Sequence, residues 1–180
     1  MQLYIAPLRF SDKNLLGDIV SIVKDNFRLP VTTLQYPFSL EEGRDPLRNQ
    51  FNSTWILSRL LEQSSQDPGK ILGITELDLY IPVLTYVFGE AQLGGKVAVV
   101  SSYRLRDELY GLPKNQQKLK ERLQKEAIHE LAHTFGLIHC RNIECVMHPS
   151  TYAEEIDFKS TDFCKTCGPL LESKKKYFAE

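Results

Sequence analysis

Two kinds of hydrophobic pattern alternate along the chain, and together they predict an α/β fold. Strand-like stretches, with alternating or short apolar runs, lie at 2–6, 31–36, 70–75, 77–81, 85–88 and 96–101. Helix-like stretches, with a period of three to four residues, are predicted from a cap at Ser11 to Phe27, from Pro46 to Ser65, over 115–135 and over 170–178. Asp67-Pro68-Gly69 predicts a turn.

The long helix divides the pattern into two parts. We expect one domain over 1–180, with an N-terminal α/β lobe over 1–136 that ends with this helix. The remainder, 137–180, is loop-rich and forms a small C-terminal lobe. Charged side chains of the long helix, including Arg122 and Glu126, are expected on a solvated face.

Charge and composition exclude several classes of function. The 22 basic and 23 acidic residues nearly balance, which argues against binding to nucleic acid or to an anionic membrane. No apolar run is long enough for a membrane helix, and the first residues do not resemble a signal peptide. We therefore expect a cytoplasmic protein, and a monomer.

The most informative segment of the chain is H-E-x-x-H-x-x-G-x-x-H at 129–139. Residues four apart lie on one face of a helix, so His129 and His133 can bind one metal ion. Gly136 tolerates the positive φ of a sharp turn, which brings His139 back as the third ligand. Three protein ligands leave a position open for water, as catalytic zinc requires, although cobalt or iron could also occupy such a site.

Glu130 differs in role from the histidines, because it is rotated by about 100° from His129 on the helix. Its carboxylate can act as a general base on a metal-activated water, which predicts hydrolysis of an amide bond. The alternative is a pair of ordinary histidines beside a Glu that forms a salt bridge. The glycine and the third histidine at the required offsets argue against that alternative.

Four cysteines predict a second metal site. Cys140 and Cys145 are four residues apart and Cys164 and Cys167 two apart, which are spacings of a structural zinc site. Free thiols, two disulfides or an iron–sulfur cluster are the alternatives. Because four thiolates close the coordination shell, this zinc would stabilise the small lobe rather than catalyse.

The two sets of ligands are adjacent in the chain, because Cys140 directly follows His139. Neighbouring Cα atoms lie about 3.8 Å apart. We therefore expect the four-cysteine site to fix His139 for the catalytic metal.

Together these motifs resemble the archaemetzincin family of the metzincin clan of zinc peptidases. The resemblance rests on the histidine motif followed directly by Cys, on Cys145-x-Met147 and on Cys164-x2-Cys167, and it extends over about 70–171. The four interleaved cysteines set this family apart from other metzincins.

The resemblance implies a metzincin-like fold, with a twisted mixed sheet, packed helices and zinc at the floor of a cleft. It implies that Met147 lies beneath the catalytic zinc as the Met-turn residue. Where some metzincins have a Tyr that assists the reaction, this chain has Pro149, which leaves Tyr152 or His148 as candidates. The strand at 97–101 would form the upper rim of the cleft and pair with an extended peptide, or else be an ordinary strand without an exposed edge.

These observations predict a zinc metallopeptidase that carries one catalytic and one structural zinc and acts on a peptide or protein. The alternative is a catalytically silent, zinc-stabilised module that binds peptides or proteins. An aminopeptidase would need an acidic residue that holds the free amine, for which Glu76, Asp78 and Glu90 are candidates by sequence position alone.

Overall fold

The computed structural model describes residues 1–64 and 69–177 and contains two sheets and five α-helices within those ranges. The strands are β1 (Gln2–Leu8), β2 (Val31–Thr33), β3 (Arg44–Asp45), β4 (Gln50–Asn52), β5 (Gly69–Thr75), β6 (Leu79–Tyr80), β7 (Gly89–Ala91) and β8 (Val97–Ser101). The helices are α1 (Lys13–Phe27), α2 (Ser53–Gln63), α3 (Gln116–Thr134), α4 (Ala153–Phe158) and α5 (Cys167–Tyr177).

The main sheet has five strands in the order β2-β1-β5-β8-β7. Strands β2, β1, β5 and β8 run parallel, and only β7, at the edge, is antiparallel to its neighbour. A smaller, separate sheet has the order β3-β4-β6. The architecture is a mixed α/β fold, as the sequence pattern predicts.

Alternation along the strands divides the core between the two faces of the main sheet. Leu72 and Ile74 of β5 face α1 and α3, whereas Ile71 faces α2. All three side chains are completely buried. Helix α3 therefore lies against one face of the sheet and directly beside β8 and β7.

The segment after α3 shares the apolar cluster that α1 and α3 form with the sheet. Leu137, Val146, Met147, Ile156 and Leu171 are all buried in that cluster. The division into two lobes stays a prediction, but the later residues pack on the same core as the earlier ones.

The predicted helix from Pro46 to Ser65 is wrong in its first part. Asp45 accepts hydrogen bonds from the backbone N–H groups of Leu47 and Arg48, and Asn49 has a φ of 55°, so this stretch is a turn between β3 and β4. The helix begins at Ser53, because the Asn52 side chain accepts a hydrogen bond from the backbone N–H of the third helical residue.

Other boundaries also differ from the sequence pattern. Asp12, and not Ser11, caps α1. The strand predicted at 85–88 is absent, since this stretch forms one isolated bridge and the strand follows it at Gly89–Ala91. Helix α4 is an addition within the stretch expected to be irregular, and the tail helix begins at Cys167. Ser65, the predicted end of the second helix, lies outside the described residues, as do Asp67 and Pro68 of the predicted turn and residue 178 of the predicted tail helix.

The solvated face expected for α3 is wrong for two of its charged residues. The Arg122 side chain is 1% exposed and the Glu126 side chain 5%. Arg122 donates hydrogen bonds to Asp157 and to Asp107, whereas Glu126 pairs with Lys159. Burial is possible because each charge has a partner of opposite sign. Among the described residues, no helix has both the length and the apolar character needed to span a membrane.

Candidate metal centres and the cleft between them

The carboxyl end of α3 places the three predicted histidines around one point. His129 and His133 lie one turn apart on the helix, which ends at Thr134. Gly136 follows with a φ of 86°, and its N–H donates to the carbonyl of His133 at 2.8 Å. The chain turns back at this glycine and brings His139 to the other two rings, with centroids 5.3 Å from His129 and 5.0 Å from His133.

Hydrogen bonds fix the tautomer of the two helical histidines. The Nδ1 atom of His129 donates to the carbonyl of Val146 at 2.8 Å, and Nδ1 of His133 donates to the carbonyl of Leu137 at 2.7 Å. In the neutral rings each Nε2 then carries a lone pair, and these two atoms face each other at 3.1 Å. Two lone pairs at this distance repel unless a cation lies between them.

A zinc ion fits this arrangement. With zinc–nitrogen distances of about 2.0–2.1 Å, two imidazole nitrogens of a tetrahedral site lie roughly 3.3 Å apart. The ligand atoms of His129, His133 and His139 all lie within 4.8 Å of one another. Burial lowers the pKa of His129 strongly and that of His133 less, and partial desolvation also lowers the pKa of the exposed His139. A lower pKa favours the neutral imidazole that binds metals.

Glu130 lies next to the histidines and beneath β7. Its side chain is buried, and an added Cβ at Gly89 would lie 2.5 Å from its Cγ atom. Burial, together with the negative charge of Glu126, raises the pKa of Glu130 well above its ordinary value. The structure therefore brings the carboxylate, the three imidazoles and the edge strand together.

The four cysteines form the second group that could hold a metal ion. Their Sγ atoms lie within 4.8 Å of one another, and those of Cys140 and Cys164 are 3.8 Å apart. Four sulfurs around a zinc ion at about 2.3 Å would be separated by roughly 3.8 Å. All four are free thiols, so the disulfide alternative finds no support. Backbone hydrogen bonds at Cys167 and Thr166 lower the pKa of Cys164 to about 6, which favours its thiolate, whereas burial raises the pKa of the Cys145 and Cys167 thiols.

The two groups are connected through the backbone as well as through the bond between His139 and Cys140. The N–H of Cys140 donates to the carbonyl of Met147 at 2.9 Å, and Nδ1 of His148 donates to the carbonyl of Cys140 at 3.0 Å. Met147 is completely buried, and the preceding carbonyl, that of Val146, orients His129. One short segment thus contacts both candidate metal sites.

Two depressions meet at the histidines, and both are lined by His129, Glu130 and His139. The deep pocket has a volume of about 450 Å³ and lies between the segments 84–89 and 149–152, with Glu126 at one wall. The shallow pocket, of about 360 Å³, lies on the side of His133. A molecule that reaches the three histidines can therefore extend in two directions.

The upper rim of this cleft is β7 and not the strand at 97–101, which is the ordinary strand without an exposed edge that the sequence left as the alternative. That strand, β8, pairs with β5 on one side and with β7 on the other. The carbonyl of Phe88 accepts a hydrogen bond from the N–H of Ser101 in β8, and the N–H of Gln92 donates one to the carbonyl of Val97 in β8. Because antiparallel pairing alternates, the backbone groups of Gly89 and Ala91 face the other way, towards the cleft.

The three acidic residues suggested for an aminopeptidase are engaged elsewhere. Glu76 accepts hydrogen bonds from the backbone and hydroxyl of Ser11. Asp78 is bound at both oxygens by Arg104, at 2.8 and 2.5 Å. Glu90 accepts from the Ser53 and Thr54 hydroxyls at the amino end of α2.

Tyr152 and His148, the two candidates for a side chain that assists the reaction, lie in different surroundings. Tyr152 is 61% exposed and lines the deep pocket, whereas His148 bonds to Cys140 and does not line either pocket. Tyr86, which the sequence pattern does not single out, also lines the deep pocket and donates from its hydroxyl to the Thr151 carbonyl at 3.0 Å. This bond joins the upper and lower walls.

A buried ion pair beside the site is also absent from the sequence-based prediction. Lys159 is completely buried, lies 2.7 Å from Glu126 and donates to the carbonyl of His148 at 2.9 Å. The spacing of Glu126 could have indicated that it lies near the site, because Glu126 precedes His129 by three residues and therefore lies on the same face of the helix.

Comparison with known proteins agrees with this geometry. The model of peptidase family M54 matches residues 10–173. The archaemetzincin of Methanocaldococcus jannaschii is 41% identical over 167 residues, which cover 93% of this chain and 87% of that protein.

Solved structures show the same fold. A zinc-dependent peptidase from Methanocorpusculum labreanum has a TM-score of 0.82 and 30% identity, over 94% of this chain and 99% of that one. Archaemetzincin from Archaeoglobus fulgidus has a TM-score of 0.79 and 34% identity, over 94% and 99%. The metzincin-like fold expected from the sequence is confirmed, as is a cofactor requirement for zinc. The chain belongs to peptidase family M54, the archaemetzincins, and is a zinc metallopeptidase.

Proposed function

We propose that the chain hydrolyses peptide bonds at the three-histidine site, with His129, His133 and His139 as ligands of the catalytic zinc and Glu130 as general base. A zinc ion held there supplies a Lewis acid that polarises a carbonyl group and lowers the pKa of water. The observation that supports this most directly is the pair of Nε2 atoms that face each other at 3.1 Å beside a buried carboxylate.

Glu130 takes a proton from the attacking water and transfers it to the leaving amine. Its place beside the three histidines supports this, because a general base must lie within reach of the proton that it takes. Gly89 allows β7 to pass close over the carboxylate, so that the base and the bound peptide lie next to each other.

The peptide is oriented by the free edge of β7. The backbone groups of Gly89 and Ala91 that face the cleft can pair with an extended chain, which adds one strand to the sheet. Such pairing would hold the scissile carbonyl in a fixed orientation above the histidines, and a fixed orientation of the reacting groups lowers the barrier to the reaction.

The four cysteines hold the structural zinc in this proposal. The sulfur separation of 3.8 Å between Cys140 and Cys164 supports a tetrahedral site, and four thiolates leave no position for a substrate. Met147, as the Met-turn residue, provides an apolar base at the segment that orients His129.

The test combines metal content with hydrolysis of a peptide library. We expect about two zinc ions per chain, about one in His133→Ala, and about two in Glu130→Gln. Glu130→Gln should lower kcat by at least about 100-fold without loss of zinc, as expected for a general base. Glu121→Gln, an exposed residue of the same helix, is the matched control. Full activity in Glu130→Gln would reject Glu130 as the base.

A further inference from the structure

We propose that the cleft binds an extended peptide with apolar side chains on both sides of the scissile bond, and that the enzyme therefore cleaves internal peptide bonds. This inference rests on the proposed function. It concerns the substrate class, which neither the family nor the histidine motif determines.

The cleft continues on both sides of the reactive groups. The deep and shallow pockets share His129, Glu130 and His139, and each extends away from them in its own direction. An enzyme that removes terminal residues needs a cleft that ends next to the reactive carboxylate. Here the substrate chain has room on either side.

Exposed apolar side chains line both pockets. Leu93 and Ile138, at the shallow pocket, are 61% and 67% exposed. Leu84 and Tyr152, at the deep pocket, are 51% and 61% exposed. Exposed apolar groups that cluster around a concave site indicate a binding surface, since their contact with water is unfavourable.

The walls behind these side chains are apolar as well. Phe88 is buried beneath the deep pocket, and its ring lies 5.5 Å from that of Tyr86 in an edge-to-face arrangement. The Tyr86 hydroxyl is turned to the carbonyl of Thr151, so the ring and not the polar tip is the larger contact surface. A substrate side chain in this pocket meets mainly carbon atoms.

No free carboxylate at either pocket is suited to a terminal ammonium group, as far as the described residues show. The acidic residues that line the pockets are Glu126 and Glu130. Glu126 pairs with the buried Lys159 at 2.7 Å, and Glu130 is the proposed base. An ammonium group that bound Glu130 would neutralise the base that the reaction needs.

The first experiment compares two forms of one decapeptide with Leu-Leu at its centre and Ser, Thr and Gly elsewhere, one acetylated and one with a free amine. With the zinc-loaded enzyme we expect the central bond of both to be cut, with kcat/KM equal within about twofold, and mass spectrometry identifies the bond. Cleavage that requires the free amine, or that removes residues one by one, would overturn this inference and leave the proposed function intact.

A second experiment tests the apolar contacts on each side. We expect Leu93→Gln and Leu84→Gln each to raise KM by about 5- to 30-fold with little change in kcat, because each removes a leucine contact of about 1–2 kcal/mol. Leu47→Gln is the matched control, since Leu47 is 97% exposed and lines neither pocket. If both cleft variants behave like this control, the apolar substrate class is wrong.

A binding measurement covers the case in which no peptide is cut. Glu130→Gln, loaded with zinc, should bind the acetylated decapeptide in a calorimeter, and replacement of its Leu-Leu by Ser-Ser should weaken binding at least 10-fold. Such binding without any turnover by the wild type would reject the proposed function and preserve the apolar cleft. Equal affinity for the two peptides would reject the apolar cleft.

Discussion

The salt bridge between Arg122 and Asp157 gives a stability prediction whose magnitude follows from the structure. Arg122 is 1% exposed, and two of its nitrogens donate to the two Asp157 oxygens at 2.7 Å each. Its other contacts are Asp107 at 2.7 Å and the carbonyl of Leu105 at 2.9 Å. Asp157→Asn keeps the shape of the side chain but removes the charge that faces the buried guanidinium.

The cost follows from burial and geometry. Removal of one partner from a fully buried pair costs about 3–5 kcal/mol. Asp157 is 30% exposed and Asp107 remains, so water and the second carboxylate reduce this to about 2 kcal/mol. For a chain of this length each kcal/mol lowers Tm by about 2–4 °C, so we expect a loss of about 4–8 °C at pH 7.

The pH dependence distinguishes the ion pair from simple packing. Burial alone would raise the pKa of Asp157, but hydrogen bonds and charge from Arg122, together with the charge of Lys118, outweigh it and lower this pKa below its ordinary value of 3.8. The unfolded chain therefore binds the proton first as pH falls. The stabilisation is complete well above pH 3.8 and is lost as pH falls through the lower, folded-state pKa.

Urea unfolding of the wild type and of Asp157→Asn at pH 7, 5 and 3 measures this difference. We expect a gap of about 2 kcal/mol at pH 7 and 5 that narrows at pH 3. Asp25→Asn, an exposed carboxylate on α1, is the control and should show little change at any pH. A gap that stays constant down to pH 3, or one below about 0.5 kcal/mol at pH 7, would refute the role of the charge.

Three further predictions concern the site and its supports. Replacement of both Cys164 and Cys167 by Ser should lower the zinc content from about two to about one per chain and reduce kcat/KM at least 10-fold, because the four-cysteine site no longer fixes the position of His139. An unchanged kcat/KM would contradict the dependence of the catalytic site on the cysteine site. Gly89→Ala places a Cβ 2.5 Å from the Glu130 Cγ, so kcat/KM should fall about 100-fold, whereas Gly17→Ala, which meets nothing within 4 Å, should leave it unchanged. Burial lowers the pKa of Lys70 to about 8, so between about pH 8 and 10 the Lys70 side chain is protonated in the unfolded chain but mostly neutral in the folded one. The free energy of unfolding of the wild type, relative to that of Lys70→Met, should therefore rise with pH over this range. A difference that does not change with pH would contradict this prediction.

The parts of the site that depend on local geometry could be predicted from the sequence. The helical period places His129 and His133 on one face, and Gly136 provides the positive φ that the turn needs. The cysteine spacings likewise indicate the sulfur group, whose atoms the structure brings together. The histidine motif and each cysteine pair involve residues close in sequence, so the tertiary fold is needed only to bring the two cysteine pairs together.

Features that depend on distant partners could not be predicted. Strand β7 is three residues long, lacks an alternating apolar pattern, and forms because β8 pairs with it. Its sequence Gly-Glu-Ala has low strand propensity, so tertiary contacts decide its structure. In the same way, Arg122 and Glu126 have the sequence character of surface residues, and only the opposite charges of Asp157 and Lys159 explain their burial.

The two buried charged side chains of α3 and its two histidines lie along one face of the helix. Arg122, Glu126, His129 and His133 follow one another at intervals of four, three and four residues, so they share one face of the helix. The segment after α3 provides a partner for each of them: the Asp157 carboxylate, the Lys159 ammonium, and the backbone carbonyls of residues 146 and 137, in that order.

The histidine geometry is therefore set by the later segment as much as by the helix that carries the motif. A histidine on a helix can rotate about its side-chain bonds, and the carbonyls at 146 and 137 select the orientation in which each Nε2 faces the common point. Those carbonyls lie on the segment that the four cysteines and the Glu126–Lys159 pair hold against α3. A helix with the same motif but without this segment would keep the ligands and lose the orientation of their nitrogens.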